Sequence, residues 1–249
     1  MDGSHPGHLQ ATLPLAQTAT WLIAITVVAF AIPAVLSAGL QWPRPQYLVP
    51  YSVVMGGLAL AYLYAAGFSF KELADNWIVG LVVGAAASAY IIYNLATYPR
   101  SAPPQGADLL LSLIWIGVVY GTIDALVLNV LPVVATRSLA LDGVGQTRLK
   151  WVIRGVTALL VSLAITLIYH VGYAEFRSAA VVAPLVGNLV ITATYVVTGS
   201  PLAPIVTHVV MHVASVWLGM ETLPLCHHTT DHGPRATAVM QRPVVSALR

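Results

Sequence analysis

Residues 109–135 read LLLSLIWIGVVYGTIDALVLNVLPVVA, an apolar run in which Asp124 is the only charged side chain. A helix needs roughly 20 apolar residues to cross the hydrocarbon core of a bilayer, and this run is longer than that. Lipid offers backbone N–H and C=O groups no partners, so a segment within it has to bond its own backbone. The run therefore predicts a membrane-spanning helix.

Six more apolar runs of similar length lie along the chain, separated by short segments that carry charged residues, proline or glycine. Soluble domains carry about 25% charged residues. This chain of 249 residues has 8% charged and 58% hydrophobic residues, with a mean hydropathy of +0.81. We therefore expect an all-α fold, a polytopic transmembrane helix bundle of about seven spanning helices. The six further runs are Thr18–Leu40, Tyr47–Phe68, Trp77–Tyr98, Trp151–Tyr173, Ala179–Val197 and Pro201–Gly219.

The chain divides into three parts by composition. Residues 1–17 form a polar N-terminal segment, residues 18–219 the transmembrane bundle, and residues 220–249 a polar tail that we expect to be flexible. The net charge of +2 without a long basic block argues against nucleic acid as a partner. The single cysteine, Cys226, excludes an internal disulfide. Membrane lipid is the expected partner, and the plasma membrane is the expected location.

One carboxylate and three imidazoles lie inside the apolar runs: Asp124, His170, His208 and His212. Such groups are costly at membrane depth, and they usually face the protein interior and carry function. His208 and His212 are one helical turn apart, so both project from one face and suit one metal ion or one water molecule. Val209 stands where the HExxH zinc-protease pattern has glutamate, so a general base has to come from another helix.

Asp124 is the acid available for that role, and the deep histidines are its expected partners. Together they would hold a water molecule, take its proton and pass it to a leaving group. The three histidines His170, His208 and His212 would alternatively ligate a divalent metal such as zinc, which acidifies water. Asp124 and these histidines are therefore the predicted catalytic residues. His170 reaches the required depth if its helix starts late, near Gly155, and continues towards Phe176.

Other polar and small residues within the runs are predicted to serve packing. Asn129 and Asn188 are expected to form hydrogen bonds between helices. The small-residue stretch Gly80–Ala87 is expected to let neighbouring helices approach closely.

The segments that carry the ionisable residues resemble the CPBP family of intramembrane proteases, which comprises CAAX-prenyl endopeptidases and bacteriocin-processing enzymes. That family has three motifs on separate helices: EExxxR, FxxxH, and HxxxN or a variant. The segment Gly121–Ala125 with Asn129 resembles the first motif, Thr166–His170 the second and His208–His212 the third. The resemblance covers about residues 109–219.

The resemblance implies a hydrolase that cleaves a membrane-associated peptide or protein. Asp124 would be the water-activating base and His170 its partner, while His208 and His212 would orient water or stabilise the oxyanion. The first motif departs from the family pattern, because Asp124 replaces the first glutamate, Ala125 the second, and Asn129 the arginine.

Three classes of function remain open at the level of sequence. The first is an intramembrane endopeptidase. The second is a catalytically inactive CPBP-like membrane protein that binds a partner or lipid, which the altered first motif favours. The third is a haem-binding or transport protein that uses intramembrane histidines. Convergence of Asp124 and the three histidines at one cavity would favour the endopeptidase.

Overall fold

A computed structural model describes residues 13–98, 100–141 and 144–220. Within these ranges all regular secondary structure is helical, which confirms the predicted all-α class. Seven long helical segments correspond one to one with the seven predicted runs. They are α1 (Leu15–Gly39), α2 (Arg44–Ala65), α3 (Trp77–Leu95), α4 (Gly106–Ser138), α5 (Thr147–Val171), α6 (Ala179–Thr198) and α7 (Leu202–Trp217).

The helices have the length and composition of membrane spans. The first six, α1 to α6, are long and apolar enough to cross a bilayer, and α7 is a shorter apolar helix. The chain is thus an integral membrane protein. Residues 15–17, predicted to belong to the polar N-terminal segment, are the first residues of α1. Residues 1–12 and most of the predicted flexible tail, from 221 to 249, lie outside the described residues.

Helix α4 is not a regular α-helix. The short α-helical segment Gly121–Ala125 lies between two π-helical segments, Leu113–Tyr120 and Leu126–Val130. Hydrogen bonds in a π-helix run from residue i to i+5, and such insertions are frequent at functional sites. Asp124 and Asn129 are five residues apart, so the second π-helical segment brings both side chains towards α7.

Helix α7 packs closely against α3 because the facing residues of α3 are small. A Cβ atom on Gly80 would lie 2.5 Å from Oγ of Ser200, and one on Gly84 would lie 3.0 Å from the carbonyl oxygen of Ala203. The Thr207 hydroxyl donates a hydrogen bond to the carbonyl oxygen of Gly84 at 3.2 Å. The predicted close packing at this small-residue stretch is therefore confirmed.

An ion pair at the end of α4 ties that helix to the segment between α2 and α3. Arg137 donates hydrogen bonds to both carboxylate oxygens of Glu72, one of them at 3.2 Å. Its guanidinium also lies 5.8 Å from the ring centroid of Phe68. Partial burial raises the pKa of Glu72, but the hydrogen bond from Arg137, that from the Ser69 backbone N–H and the Arg137 charge outweigh it. The pKa of Glu72 therefore lies below its usual value.

Candidate functional site

Three of the four predicted site residues meet in the middle of the bundle. Nε2 of His212 lies 3.7 Å from Oδ2 of Asp124, and Nε2 of His208 lies 4.0 Å from the same oxygen. Asp124, His208 and His212 are only 2%, 3% and 6% exposed. Each offers one ligand atom, and these three atoms lie within 4.8 Å of one another. We refer to these three residues as the central cluster.

The carboxylate of Asp124 is oriented by a tyrosine from α2. The hydroxyl of Tyr51 donates a hydrogen bond to Oδ1 of Asp124 at 2.6 Å, and the Tyr51 side chain is fully buried. Hydrogen bonds to a charged acceptor are among the stronger ones in proteins. The contact leaves Oδ2 directed towards the two histidines.

His208 is held from its other side by an asparagine of α4. Its Nδ1 atom lies 2.8 Å from Oδ1 of Asn129. Its ring stacks on the ring of His212, with centroids 5.2 Å apart and planes at 20°. These contacts direct Nε2 of His208 towards Asp124.

His212 packs closely against a glycine on α4. A Cβ atom on Gly121 would lie 3.3 Å from Cδ2 of His212 and 3.2 Å from Cα of Val209, which is tighter than ordinary contact. The His212 ring also meets Tyr120 edge to face, with centroids 4.8 Å apart. Tyr120 and Gly121 thus form the surface of α4 against which this imidazole packs.

Buried tyrosines surround the side of Asp124 that faces α2 and α5. The hydroxyls of Tyr120 and Tyr169 are 2.5 Å apart, and those of Tyr169 and Tyr173 are 2.8 Å apart. The Tyr51 ring lies 5.6 Å from Tyr120 and 5.5 Å from Tyr169. Sequence reasoning missed Tyr51. The available signal was a phenol well inside an apolar run, because a buried tyrosine hydroxyl needs a partner.

His170 lies apart from the central cluster. Its Nδ1 atom is 2.8 Å from the carbonyl oxygen of Thr166, one turn earlier, and its ring packs edge to face on Phe176 at 5.0 Å. The sequence places His170 at the depth of the other site residues if its helix starts near Gly155 and continues towards Phe176. This requirement is not met, because α5 starts at Thr147 and ends at Val171. His170 therefore belongs to the last turn of the helix, and the structure does not bring it into the group of potential ligands.

Asn129 and Asn188 form the predicted interhelical hydrogen bonds. Nδ2 of Asn129 donates to Oδ1 of Asn188 at 2.7 Å and to Oγ1 of Thr192 at 2.9 Å. The prediction of an interhelical contact is confirmed. The additional contact of Asn129 with His208 was not predicted, and it makes the asparagine part of the site's surroundings.

The central cluster has the donor set of a divalent metal site. Two imidazoles and one carboxylate form the protein ligand set of several catalytic zinc sites, which keep a further position for water or substrate. The ligand atoms of Asp124, His208 and His212 are close enough to surround one ion. The hydrogen bond at Nδ1 of His208 is the outer support that metal-binding histidines commonly have. The residues present therefore fit a divalent ion, with His170 outside the set.

Comparison of the chain with models of protein families, with curated proteins and with solved structures finds no match. Its membership of the CPBP family stays a prediction based on the three motif-like segments.

Proposed function

We propose that the chain is an intramembrane metal-dependent endopeptidase that hydrolyses a peptide bond of a membrane-associated substrate, in the plasma membrane. The observation that carries the proposal is the convergence of Asp124 with His208 and His212. Three ionisable side chains from two helices meet where ionisable groups are costly, and such groups at membrane depth usually serve function.

Asp124, His208 and His212 would hold the ion, for which zinc is the leading candidate. The chemistry that it supplies when bound is the acidification of water and the polarisation of a carbonyl group. The protein's own contribution is to keep two imidazole nitrogens and one carboxylate oxygen directed at the same point.

Peptide hydrolysis at this site needs one proton to be moved twice. The water oxygen bonds to the carbonyl carbon of the scissile peptide while Oδ1 of Asp124, which has a second lone pair besides the one that accepts from Tyr51, takes the water proton. The carbon–nitrogen bond then breaks, and the same proton passes to the departing amine nitrogen. The Tyr51 hydrogen bond fixes the carboxylate during both transfers, because it holds Oδ1 in place while Oδ2 faces the two histidines that would share the ion.

A groove on the outer face of the bundle suits a membrane-embedded substrate. The groove has a volume of about 560 Å³ and lies between α2 and α4, with mostly apolar and glycine lining. Ser52 and Ile123, the chain neighbours of Tyr51 and Asp124, line it. Leu60 lines it too and is exposed on the outer surface of the bundle, where lipid lies. A lipid-anchored or membrane-inserted peptide segment suits such a surface better than a soluble peptide does.

A second candidate is a membrane protein that uses the central cluster to bind a partner or lipid without catalysis. The observation that favours it is the near-complete burial of Asp124, His208 and His212. In this reading, contacts such as Tyr51 with Asp124 and Asn129 with His208 serve to hold helices together.

The geometry does not favour haem binding by the histidine pair. His208 and His212 lie on one helix with nearly parallel rings, and their centroids are 5.2 Å apart. Ligation of one haem by two histidines requires the imidazoles on opposite faces of a flat macrocycle. No such slot lies between these two rings.

The test is cleavage of lipid-anchored peptides by the full-length protein in nanodiscs loaded with zinc. A randomised peptide library with an N-terminal acyl anchor would be incubated with the protein, and new termini would be identified by mass spectrometry. The same library without the anchor measures the preference for membrane-associated substrates. Loss of an essential acid–base group lowers the rate by about 10²–10⁴-fold, and we expect this loss in Asp124→Asn.

The matched control is His170→Ala, which removes an intramembrane histidine outside the central cluster. We expect this variant to cleave at close to the unmodified rate. New termini that are equally abundant with Asp124→Asn would overturn the proposal. An absence of new termini with the unmodified protein would favour the non-catalytic candidate instead.

A further inference from the structure

A second buried polar network lies next to the central cluster, at the Nδ1 side of His208. It joins Asn129 of α4 to Ser162 of α5 and to Asn188 and Thr192 of α6. All four side chains are between 0% and 4% exposed. The network ends at a backbone group, because the Ser162 hydroxyl lies 2.5 Å from the carbonyl oxygen of Leu128.

The contact of Ser162 with the carbonyl oxygen of Leu128 determines the direction of every other hydrogen bond in this network. A carbonyl oxygen only accepts, so Ser162 donates its hydroxyl proton to Leu128. The Ser162 oxygen then accepts from the Thr192 hydroxyl at 2.7 Å and from Nδ2 of Asn188 at 2.7 Å. Oδ1 of Asn188 and Oγ1 of Thr192 are therefore acceptors, and both accept from Nδ2 of Asn129.

The same reasoning fixes the proton on His208. Nδ2 of Asn129 already donates to two residues of α6, so Asn129 presents Oδ1 to His208. This oxygen can only accept a hydrogen bond. Nδ1 of His208 must carry a proton to donate this bond at 2.8 Å. In the neutral imidazole the other nitrogen, Nε2, then has no proton. Nε2 lies 4.0 Å from Oδ2 of Asp124, a distance too long for a hydrogen bond between them.

We propose that Asn129, oriented by Ser162, Asn188 and Thr192, is a positioning residue that fixes His208 as the Nδ1–H tautomer. The lone pair of Nε2 is thereby directed into the space beside Asp124, where it serves as an electron-pair donor to a cation. The tautomer follows from the network alone. The use of the lone pair for a divalent ion rests on the proposed function.

The π-helical segment of α4 is what makes this arrangement possible. Asp124 and Asn129 lie on opposite sides of one imidazole, with Oδ2 of Asp124 towards Nε2 and Oδ1 of Asn129 towards Nδ1. In an α-helix, residues five apart point in clearly different directions, whereas i→i+5 bonding in Leu126–Val130 brings them closer to one face. One helix thus supports both nitrogens of His208.

Nitrogen-15 solid-state NMR of histidine-labelled, metal-free protein in lipid bilayers tests the tautomer directly. The His208 signals would be identified by their loss in His208→Gln. We expect a protonated Nδ1 and an unprotonated Nε2 at neutral pH in the unmodified protein. In Asn129→Leu, which removes the acceptor, we expect the proton to move to Nε2, where it faces Asp124. Asn94→Leu, at an exposed asparagine of α3, is the matched control and should leave the His208 signals unchanged.

A protonated Nε2 on neutral His208 in the unmodified protein would overturn the proposal, and so would an unchanged tautomer in Asn129→Leu. Thr192→Val is a milder change that loosens the same network, and it serves if Asn129→Leu does not fold. It should give a mixture of the two tautomers, and an unaltered His208 spectrum in this variant would also contradict the assignment.

Binding of cobalt(II), followed by its visible absorption, separates this inference from the proposed function. Loss of an outer partner of a metal-binding histidine weakens metal binding by about 10–100-fold, and we expect that for Asn129→Leu. If the predicted tautomer is found but no cobalt binds to the unmodified protein, the metal-dependent function fails and the positioning role stands. If cobalt binds but the tautomer is the opposite one, the positioning role fails alone.

Discussion

The Tyr51 hydroxyl donates a 2.6 Å hydrogen bond to Oδ1 of Asp124, joining α2 to α4 across 73 positions of the chain. Both side chains are buried, and both belong to helices with the length and composition of membrane spans. The contact determines which carboxylate oxygen faces the histidines, so it links the packing of α2 to the geometry of the central cluster.

Removal of this hydroxyl should weaken both the fold and the activity. Tyr51→Phe takes away a hydrogen bond to a charged group, which contributes about 1.5–3 kcal/mol, and leaves Oδ1 of Asp124 without its donor. We expect a lower thermal unfolding temperature in nanodiscs and a lower cleavage rate. Tyr93→Phe is the matched control, since Tyr93 is 73% exposed on the surface of the bundle. Equal unfolding temperatures for the two variants would contradict the role of Tyr51.

The glycine beneath His212 gives a second prediction. In Gly121→Ala the new methyl group would lie 3.3 Å from the His212 ring and 3.2 Å from the α7 backbone, so α7 has to shift. Overpacking of this kind costs about 1–3 kcal/mol. We expect lower thermal stability and weaker cobalt binding. Gly57→Ala is the control, because a Cβ at Gly57 meets nothing within 4 Å. The interpretation of Gly121 is wrong if both variants bind cobalt equally well.

The Glu72–Arg137 ion pair predicts a pH dependence of stability. The pKa of Glu72 is lowered in the folded protein, so its contribution is fully present above the unfolded value of about 4.3. That contribution is lost as the pH falls through the lower folded value. Because the pair is partly exposed, its contribution is about 1 kcal/mol or less.

Unfolding of the unmodified protein and of Glu72→Gln, measured at pH 7 and at several values below 4, checks this prediction. The unmodified protein should be the more stable one at pH 7, and the difference should shrink as the pH falls. Carboxyl groups present in both proteins titrate alike and cancel in the comparison. A difference that is constant with pH would show that the ionised form of Glu72 contributes nothing.

The helices could be predicted from the sequence because spanning a bilayer requires a long apolar run. All seven predicted runs have a helix, and α2, for example, starts three residues before the predicted Tyr47. The pairing of Asp124 with His208 and His212 was also predictable, since ionisable groups in lipid have to face one another.

Other parts of the site depend on π-helical turns, helix ends and contacts between distant residues, which the pattern of apolar residues does not predict. The π-helical turns of α4 have no distinct composition, so the contact of Asn129 with His208 was not foreseen. The end of α5 at Val171 decided the place of His170, and helix ends are poorly marked when the apolar run continues. Tyr51 was missed because its partner, Asp124, lies 73 positions away on another helix, and no local pattern pairs the two.

The number of zinc ions bound per chain tests most directly whether the central cluster is one metal site. Full-length protein in nanodiscs would be equilibrated with zinc, freed of loosely bound ion and measured by elemental mass spectrometry. Cys226 and His227 are ligand types outside the described residues, so the difference between variants is the quantity that counts. We predict that the unmodified protein and His170→Ala each hold one ion more than Asp124→Ala and His208→Ala do. Equal zinc content in all four proteins would contradict the account.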